Sequence, residues 1–179
     1  MTTYVAFLRG INVGGVIVKM DALKKAFESL RLKNIRTLLA SGNVLFETKQ
    51  TAAGVLTKTI EEKLKKTFGR EIGVIVRTLA ELERLAKSDP FKGIKVTPKT
   101  RLYVSFLSEK QKSAIKIPHK SPGADFKIIR LTETEACSVV TVTPNPREGT
   151  LGLMDFLDKE FGKRVTTRNW NTIEKVLRG

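Results

Sequence analysis

Strand-like and helix-like runs of apolar residues alternate along the first half of the chain. Two of the strand-like runs are separated by Ser41-Gly42-Asn43, residue types that suit a tight hairpin turn. An apolar ladder that ends at Gly69 is typical of a helix with a glycine C-cap. The predicted elements are a strand at 4–9, a helix from Met20, strands at 35–40 and 44–47, a helix at 56–68 and a strand at 73–77. This βαββαβ order is that of a split βαβ, or ferredoxin-like, sheet.

The second half loosely repeats this pattern after a boundary at 88–99. Thr78 and Glu81 have the spacing of a capping box, which predicts a short linking helix at 79–87. Strands follow at 102–107, 126–131 and 137–142, then a helix that stops at Gly162 and a short C-terminal helix. We therefore predict an α+β fold of two packed ferredoxin-like (split βαβ) subdomains, at 1–88 and 100–179, the second less regular. One larger sheet shared by both halves is the alternative.

Composition narrows the class of protein. The chain has 179 residues, 41% of them apolar, which suffices for a core without disulfides. One cysteine and one histidine exclude an internal disulfide and a zinc site built on those ligands. No apolar run reaches the ~20 residues of a membrane helix, and the start does not resemble a signal peptide. We expect a cytoplasmic protein with no membrane partner.

Positive charge is in excess and unevenly distributed. The formal net charge is +15, and both halves contribute almost equally, so there is no basic tail. Residues 92–130 nevertheless hold ten basic side chains against only Glu109 and Asp125. Such a surplus favours binding of nucleic acid or another polyanion, and a plain solvated surface is the alternative interpretation.

A polar, glycine-rich loop follows the first predicted strand. Its backbone amides, with Arg9, Asn12 and Lys19 beside Gly14 and Gly15, could hold an anion. The spacing matches neither the dinucleotide-binding nor the P-loop fingerprint. A loop whose glycines merely permit turns is the alternative.

Ser41 and Asn43 lie at the predicted hairpin tip. In a split βαβ sheet the first two strands run parallel, so Arg9 and the tip fall at the same end of the sheet. We therefore expect Arg9, Asn12, Ser41 and Asn43 to converge. The alternative is a turn in which Asn43 bonds nearby backbone.

A third polar cluster, TTRNWNT at 166–172, precedes the last helix. Asn171 with Glu174 has the spacing of an N-cap pair, which leaves Arg168 and Asn169 without a structural role. Trp170 is expected to be a core anchor.

Other chemistry leaves no recognisable pattern in the sequence. His119 has no nucleophile or carboxylate nearby in sequence and is expected to be solvated, and Cys137 is expected to be a small core residue. Hydrolase and zinc-enzyme motifs are absent, so we assign no catalytic residue, metal or cofactor. The aromatic pattern of an RNA-recognition motif is incomplete around Val44-Leu45-Phe46, and we expect Phe7 and Phe46 to be buried.

Several of these stretches together resemble the bacterial domain-of-unknown-function family 1697. The motifs are YVAFLRGINVGG at 4–15, IRTLLASGNVLFE at 35–47, VIVRT at 74–78, Asp89-Pro90-Phe91 and TTRNWNT at 166–172. The resemblance implies an α+β protein with two ferredoxin-like parts, and it implies no particular activity. The family's polar motifs coincide with the three clusters that packing does not explain.

Three functions follow as hypotheses. The charge favours binding of nucleic acid or another polyanion, which we rank first. The polar motifs favour an enzyme or binder of a small anionic metabolite, with one site formed by Arg9, Asn12, Gly14, Gly15, Lys19, Ser41, Asn43, Arg168, Asn169 and Asn171. A partner-binding scaffold would instead expose an apolar patch. A groove shared by the 92–130 basic residues and the motifs would favour polyanion binding.

Overall fold

The computed structural model describes residues 1–15, 17–145 and 149–179. They form an α+β fold of two compact units, with unit 1 comprising residues 1–84 and 176–179 and unit 2 comprising residues 85–175. The boundaries fall within two helices, Leu79–Lys87 and Trp170–Arg178. In the part of the chain that is described, no helix is long and apolar enough to cross a membrane.

Unit 1 has the predicted βαββαβ order. In chain order its elements are β1 (Thr2–Leu8), α1 (Met20–Glu28), β2 (Lys33–Leu38), β3 (Asn43–Thr48), α2 (Ala53–Phe68), β4 (Val74–Thr78) and α3 (Leu79–Lys87). The strands lie in the order β2-β3-β1-β4, each antiparallel to its neighbours. Since β1 and β2 both run antiparallel to β3, they are parallel to each other, and their C-terminal ends share one end of the sheet.

Sequence features account for the C-terminal end of α2 and the start of α3. Gly69 caps α2 with a left-handed backbone, φ 68°. The predicted capping box is present before α3, where Thr78 N donates to Glu81 Oε2 at 2.7 Å and Glu81 N donates to Thr78 Oγ1 at 3.2 Å. These local signals therefore set the helix boundaries, as expected from the spacing.

The core of unit 1 lies between its sheet and its helices α1 and α2. Alternate residues of β1 and β3 face the helices, where Phe46 stacks against Tyr4 at a centroid distance of 5.7 Å. Phe7, on the other face of the sheet, is also buried. The expected burial of Phe7 and Phe46 is confirmed, so neither is available as a stacking platform for bases.

Unit 2 repeats the strand order of unit 1 with a loop in place of the first helix. Its elements are β5 (Thr100–Leu107), β6 (His119–Lys120), β7 (Phe126–Leu131), β8 (Glu135–Thr141), α4 (Thr150–Phe161), β9 (Val165–Asn169) and α5 (Trp170–Arg178). The sheet order is β6-β7-β8-β5-β9, so β7-β8-β5-β9 corresponds to β2-β3-β1-β4. Helix α4 covers one face through Leu153, Leu157 and Phe161.

Two strands of unit 2 were not predicted from the pattern. Strand β6 is only two residues long. Strand β9 lies within the polar TTRNWNT cluster and pairs with β5 in the register Tyr103 to Asn169 and Leu107 to Val165. The cluster is thus a strand followed directly by a helix, and this geometry positions the candidate site.

Candidate functional site

An open cleft of about 440 Å³ lies in unit 2 where β5 and β9 meet the start of α5. Its lining comprises two cations, five neutral hydrogen-bonding side chains and two apolar ones. These are Arg101 and Lys175, then Thr97, Thr100, Asn169, Asn171 and Thr172, and finally Val96 and Leu102. Among the described residues, the lining contains neither a carboxylate nor an aromatic ring. The wall is therefore positive and polar.

The pairing of β9 with β5 brings the two cluster asparagines to this cleft. Asn169 is the last residue of β9 and pairs with Tyr103 of β5. Arg101 precedes Tyr103 by two residues, so on this antiparallel pair it lies just beyond the end of β9. Helix α5 begins at Trp170, which places Asn171 and Thr172 in its first turn. One basic residue of the 92–130 stretch and three residues of the 166–172 motif thus line a single groove.

The helix cap differs from the expected one. Asn169 Oδ1 accepts a hydrogen bond from Asn171 N at 3.0 Å, which is the geometry of an N-cap with its second helical residue. The predicted cap at Asn171 is wrong, because the helix starts one residue before that position. Asn171 is left exposed in the first turn, and its carboxamide forms no hydrogen bond with a described residue.

The two cations of the cleft have little compensating negative charge. Arg101 Nη1 donates to the carbonyl oxygens of Pro98 at 2.8 Å and Thr100 at 2.9 Å, which orients the guanidinium. Lys175 is exposed and forms no ion pair within residues 1–15, 17–145 and 149–179. Such an arrangement attracts anions from solution.

Arg168 has a different environment. It is only 7% exposed, and its Nη1 donates to Thr166 Oγ1 at 2.8 Å and to Thr167 O at 3.0 Å. Burial lowers the pKa of Arg168 to about 10, so the guanidinium stays charged at neutral pH. Arg168 does not line the cleft.

Three further residues of unit 2 were assigned from sequence. Trp170 packs edge-on against Phe91 at a centroid distance of 5.2 Å. Cys137 is fully buried, and burial raises the pKa of its thiol to about 12, which makes it an inert core residue as expected. The expectation that His119 is solvated is wrong, since its ring is half-buried and stacks on Phe156 at 4.5 Å.

In unit 1, Asn12 organises the corner formed by the glycine-rich loop and the hairpin tip. Its Nδ2 donates to Ala40 O at 2.6 Å and to Val18 O at 3.2 Å, and its Oδ1 accepts from Val18 N at 2.8 Å. Both ends of the carboxamide therefore bond the protein's own backbone. The loop and the tip converge at one end of the sheet, as the topology predicts.

Asn43 and Gly42 hold the hairpin tip in place. Asn43 is fully buried and donates to Leu38 O at 2.9 Å and to Ser41 Oγ at 3.0 Å, which is the local bonding of the alternative interpretation. Gly42 has φ 76°, and a Cβ there would lie 2.5 Å from Ile11 Cδ1. The Ser-Gly-Asn sequence is thus explained by turn geometry and close packing.

The remaining predicted residues of this corner are mostly exposed. Gly14 and Gly15 have φ of 58° and 84°, Lys19 lies exposed just before α1, and Arg9 is half-buried, with its backbone N donating to Gly73 O at 2.8 Å. Val13, Ile17 and Leu39 lie beside the positions that Asn12 joins, and they are 62%, 80% and 44% exposed. Exposed apolar side chains are what the partner-binding alternative predicts.

Unit 1 also contains a cleft of about 430 Å³, between α2 and the start of β4. Its charged lining comprises two lysines and three glutamates, which are Lys58, Lys65, Glu61, Glu62 and Glu71. Lys65 Nζ pairs with Glu71 Oε1 at 2.8 Å, and Glu61 Oε1 accepts from Val74 N at 2.9 Å. Within the described ranges, no group of three or more His, Cys, Asp or Glu side chains could hold a metal ion.

The polar motifs are thus divided between the units. Arg9, Asn12, Ser41 and Asn43 belong to unit 1, and Arg168, Asn169 and Asn171 belong to unit 2. A single site formed by all three motifs stays a prediction. The sequence interpretation missed Lys175, Thr172 and the role of Arg101, because they become neighbours only through the pairing of β9 with β5. Reading VTTRN at 165–169 as a strand would have indicated them.

Comparison with known proteins identifies relatives of the fold. The family model described as "Protein of unknown function (DUF1697)" matches residues 1–148. The chain is similar to the solved structure of the conserved bacterial protein SP0830 from Streptococcus pneumoniae, with a TM-score of 0.69 and 20% identity, over 99% of this chain and 97% of that one. No curated protein matches it significantly.

Proposed function

The chain belongs to the DUF1697 family of proteins of unknown function, and from this premise we propose that it binds a polyanion, nucleic acid above all, through unit 2. The observation that carries the proposal is the shared groove. Arg101, from the basic 92–130 stretch, lines the same open cleft as the motif residues Asn169 and Asn171. Lys175 adds a second cation, and the part of the lining that the structure describes has no carboxylate to oppose a phosphate.

Electrostatics favours anion binding at this cleft, because its described lining includes two cations and no carboxylate. Basic groups contribute to polyanion affinity by releasing the counterions condensed on the ligand, and each one increases the salt dependence. The abundance of exposed lysines in unit 2, including Lys95, Lys99 and Lys112, extends the positive field beyond the cleft.

The proposal is tested by fluorescence anisotropy with labelled oligonucleotides, titrated between about 50 and 200 mM salt. Two matched variants are Lys175→Glu and Lys58→Glu, since both lysines are exposed, lie on helices and line clefts of nearly equal volume. We expect Lys175→Glu to weaken binding at least about fivefold and to reduce the slope of log K against log salt by about one.

Lys58→Glu makes the same change in net charge beside three glutamates and is the control. We expect it to leave the slope nearly unchanged. Binding that does not vary with salt, or an equal loss in the two variants, would show that the unit 2 cleft is not a polyanion site.

A further inference from the structure

The neutral part of the unit 2 cleft points to a more specific ligand than a polyanion. Besides Arg101 and Lys175, five side chains with hydrogen-bonding groups line it, although phosphate contacts require only the cations. Bases stack on aromatic rings or on arginine guanidinium planes. The described lining has no aromatic ring, and the Arg101 guanidinium is already held by the carbonyl oxygens of Pro98 and Thr100. The neutral polar groups are suited to hydrogen bonds with the sugar, the part of a nucleotide that distinguishes RNA from DNA.

The hydrogen bonds within the cleft show which of these groups are available. Thr97 Oγ1 and Thr100 Oγ1 bond each other at 3.0 Å, and Asn169 Oδ1 caps α5. Neither the Asn171 carboxamide nor the Thr172 hydroxyl bonds another residue in the described ranges 1–15, 17–145 and 149–179. These two adjacent side chains are the ones that can bond a ligand without breaking an existing contact.

The chemistry of the two groups matches a ribose hydroxyl. A carboxamide offers donors and an acceptor, and a threonine hydroxyl is both donor and acceptor. The 2′-hydroxyl of RNA is likewise both donor and acceptor, and DNA has no group in its place. An anionic strand held by Arg101 and Lys175 would present its sugars to Asn171 and Thr172, which follow Asn169 along the same wall.

The dimensions of the cleft favour a single strand. A concave volume of about 440 Å³ accommodates a nucleotide-sized group of a flexible chain. Reading a duplex instead requires an element that protrudes into a groove, about 12 Å wide in the DNA major groove.

We propose that the unit 2 cleft binds single-stranded RNA in preference to DNA, with Asn171 and Thr172 bonding a ribose 2′-hydroxyl. This inference rests on the proposed polyanion binding and goes beyond it, because counterion release alone does not distinguish the two nucleic acids. Because Asn171 is exposed to water, a DNA strand that does not bond it loses little affinity, and the preference for RNA comes from the hydrogen bonds that the 2′-hydroxyl adds. We expect the RNA-to-DNA affinity ratio to be about five, in the range of one such hydrogen bond.

The test compares oligouridylate with oligodeoxyuridylate of the same length, about twelve nucleotides, which differ only in the 2′-hydroxyl. Anisotropy at low salt is measured for the natural chain, for Asn171→Ala/Thr172→Val and for Thr172→Ser, which keeps the hydroxyl. We expect the RNA-to-DNA affinity ratio to fall from about five to about one in the double variant, chiefly through a loss of RNA affinity. Thr172→Ser should retain the ratio.

Each contrary outcome is distinct. Equal affinity of the natural chain for both oligomers overturns the RNA preference and leaves polyanion binding standing. Binding of neither oligomer overturns both proposals. A ratio near five that survives in the double variant overturns the assignment to Asn171 and Thr172. Circular dichroism melting of each variant establishes that the affinities belong to folded protein.

Discussion

The two clefts of the molecule have nearly the same volume, about 430 Å³ in unit 1 and about 440 Å³ in unit 2, but their charges are arranged in opposite ways. In unit 1 lysines and glutamates line the cleft together, and Lys65 is paired with Glu71. In unit 2 no carboxylate lines the cleft beside Arg101 and Lys175 among residues 85–145 and 149–175. Net charge therefore says less about anion binding than the local absence of opposing charge.

The asparagines of the polar motifs show the same contrast. Asn12 and Asn43 in unit 1 bond backbone groups of other residues at the corner, Asn12 those of Val18 and Ala40 and Asn43 that of Leu38, so they hold the corner together. Asn171 in unit 2 is exposed, and its neighbour Asn169 supplies the helix cap. Residues of one type in similar-looking motifs can thus hold a turn or face solvent, and only the second kind is available to a ligand.

The largest expected change in the free energy of unfolding is that between alanine variants of the two kinds of asparagine. Asn12→Ala removes three hydrogen bonds to backbone groups and should lower the free energy of unfolding by about 2–3 kcal/mol. Asn171→Ala removes an exposed side chain and should change it by less than about 0.5 kcal/mol. Urea unfolding of both variants measures the difference. Similar losses in the two would end the distinction between the two kinds of asparagine.

In unit 2, Asp125 plays the role that Asn12 plays in unit 1, because its side chain also bonds groups of the protein itself. This buried carboxylate accepts hydrogen bonds from Ser121 Oγ at 2.5 Å and from Gly149 N, just before α4. The bond from Ser121, aided by backbone N–H groups, lowers the pKa of Asp125 below its usual value even though burial opposes this. We expect Asp125→Asn to lower the free energy of unfolding by about 2 kcal/mol at neutral pH.

The pH dependence of that loss follows from the direction of the pKa shift. A carboxyl group whose pKa is lower in the folded chain stabilises fully above its unfolded pKa, about 3.9, and loses that contribution as pH falls through the folded value. The difference in the free energy of unfolding between the natural chain and Asp125→Asn should therefore become smaller below about pH 4. Unfolding measured across this range checks it, and a gap that is constant with pH would contradict the assignment.

The smallest expected changes in the free energy of unfolding are those for two serines on the same face of the unit 2 sheet. Ser105 Oγ bonds Thr167 Oγ1 at 2.8 Å, whereas the fully buried Ser138 Oγ has no hydrogen-bond partner among the described residues. Ser138→Ala should raise the free energy of unfolding by about 1 kcal/mol, and Ser105→Ala should lower it by about the same amount. Thermal or urea unfolding that shifts both variants in one direction would contradict this prediction.

Much of the fold was predictable from local features of the chain. The apolar periods placed β1, the β2-β3 hairpin and α2, and the Thr78 and Glu81 pair placed α3 at its observed start. Strand β9 was not predicted because Thr166, Thr167, Arg168 and Asn169 carry no apolar alternation. Its partner is β5, more than fifty residues earlier, and pairing at that distance has no local signature.

For the candidate site, the sequence indicated some of the residues but not that they lie together. Asn169 and Asn171 could be recognised as polar residues outside any apolar period, and Arg101 could be counted among the basic residues of 92–130. That Arg101 shares a cleft with them, and that Asn169 rather than Asn171 caps α5, depends on where β9 ends against β5.

By itself the sequence determined the α+β class, the strand order of unit 1, the charge and the polar motifs, because helix periods, turn residues and caps act over a few neighbouring positions. The tertiary structure alone decided which polar side chains form hydrogen bonds with the protein's own backbone and which remain available to a ligand. That choice depends on long-range strand pairing and on burial, which place hydrogen-bonding partners next to Asn12 and Asn43 and leave Asn171 facing solvent beside Arg101 and Lys175.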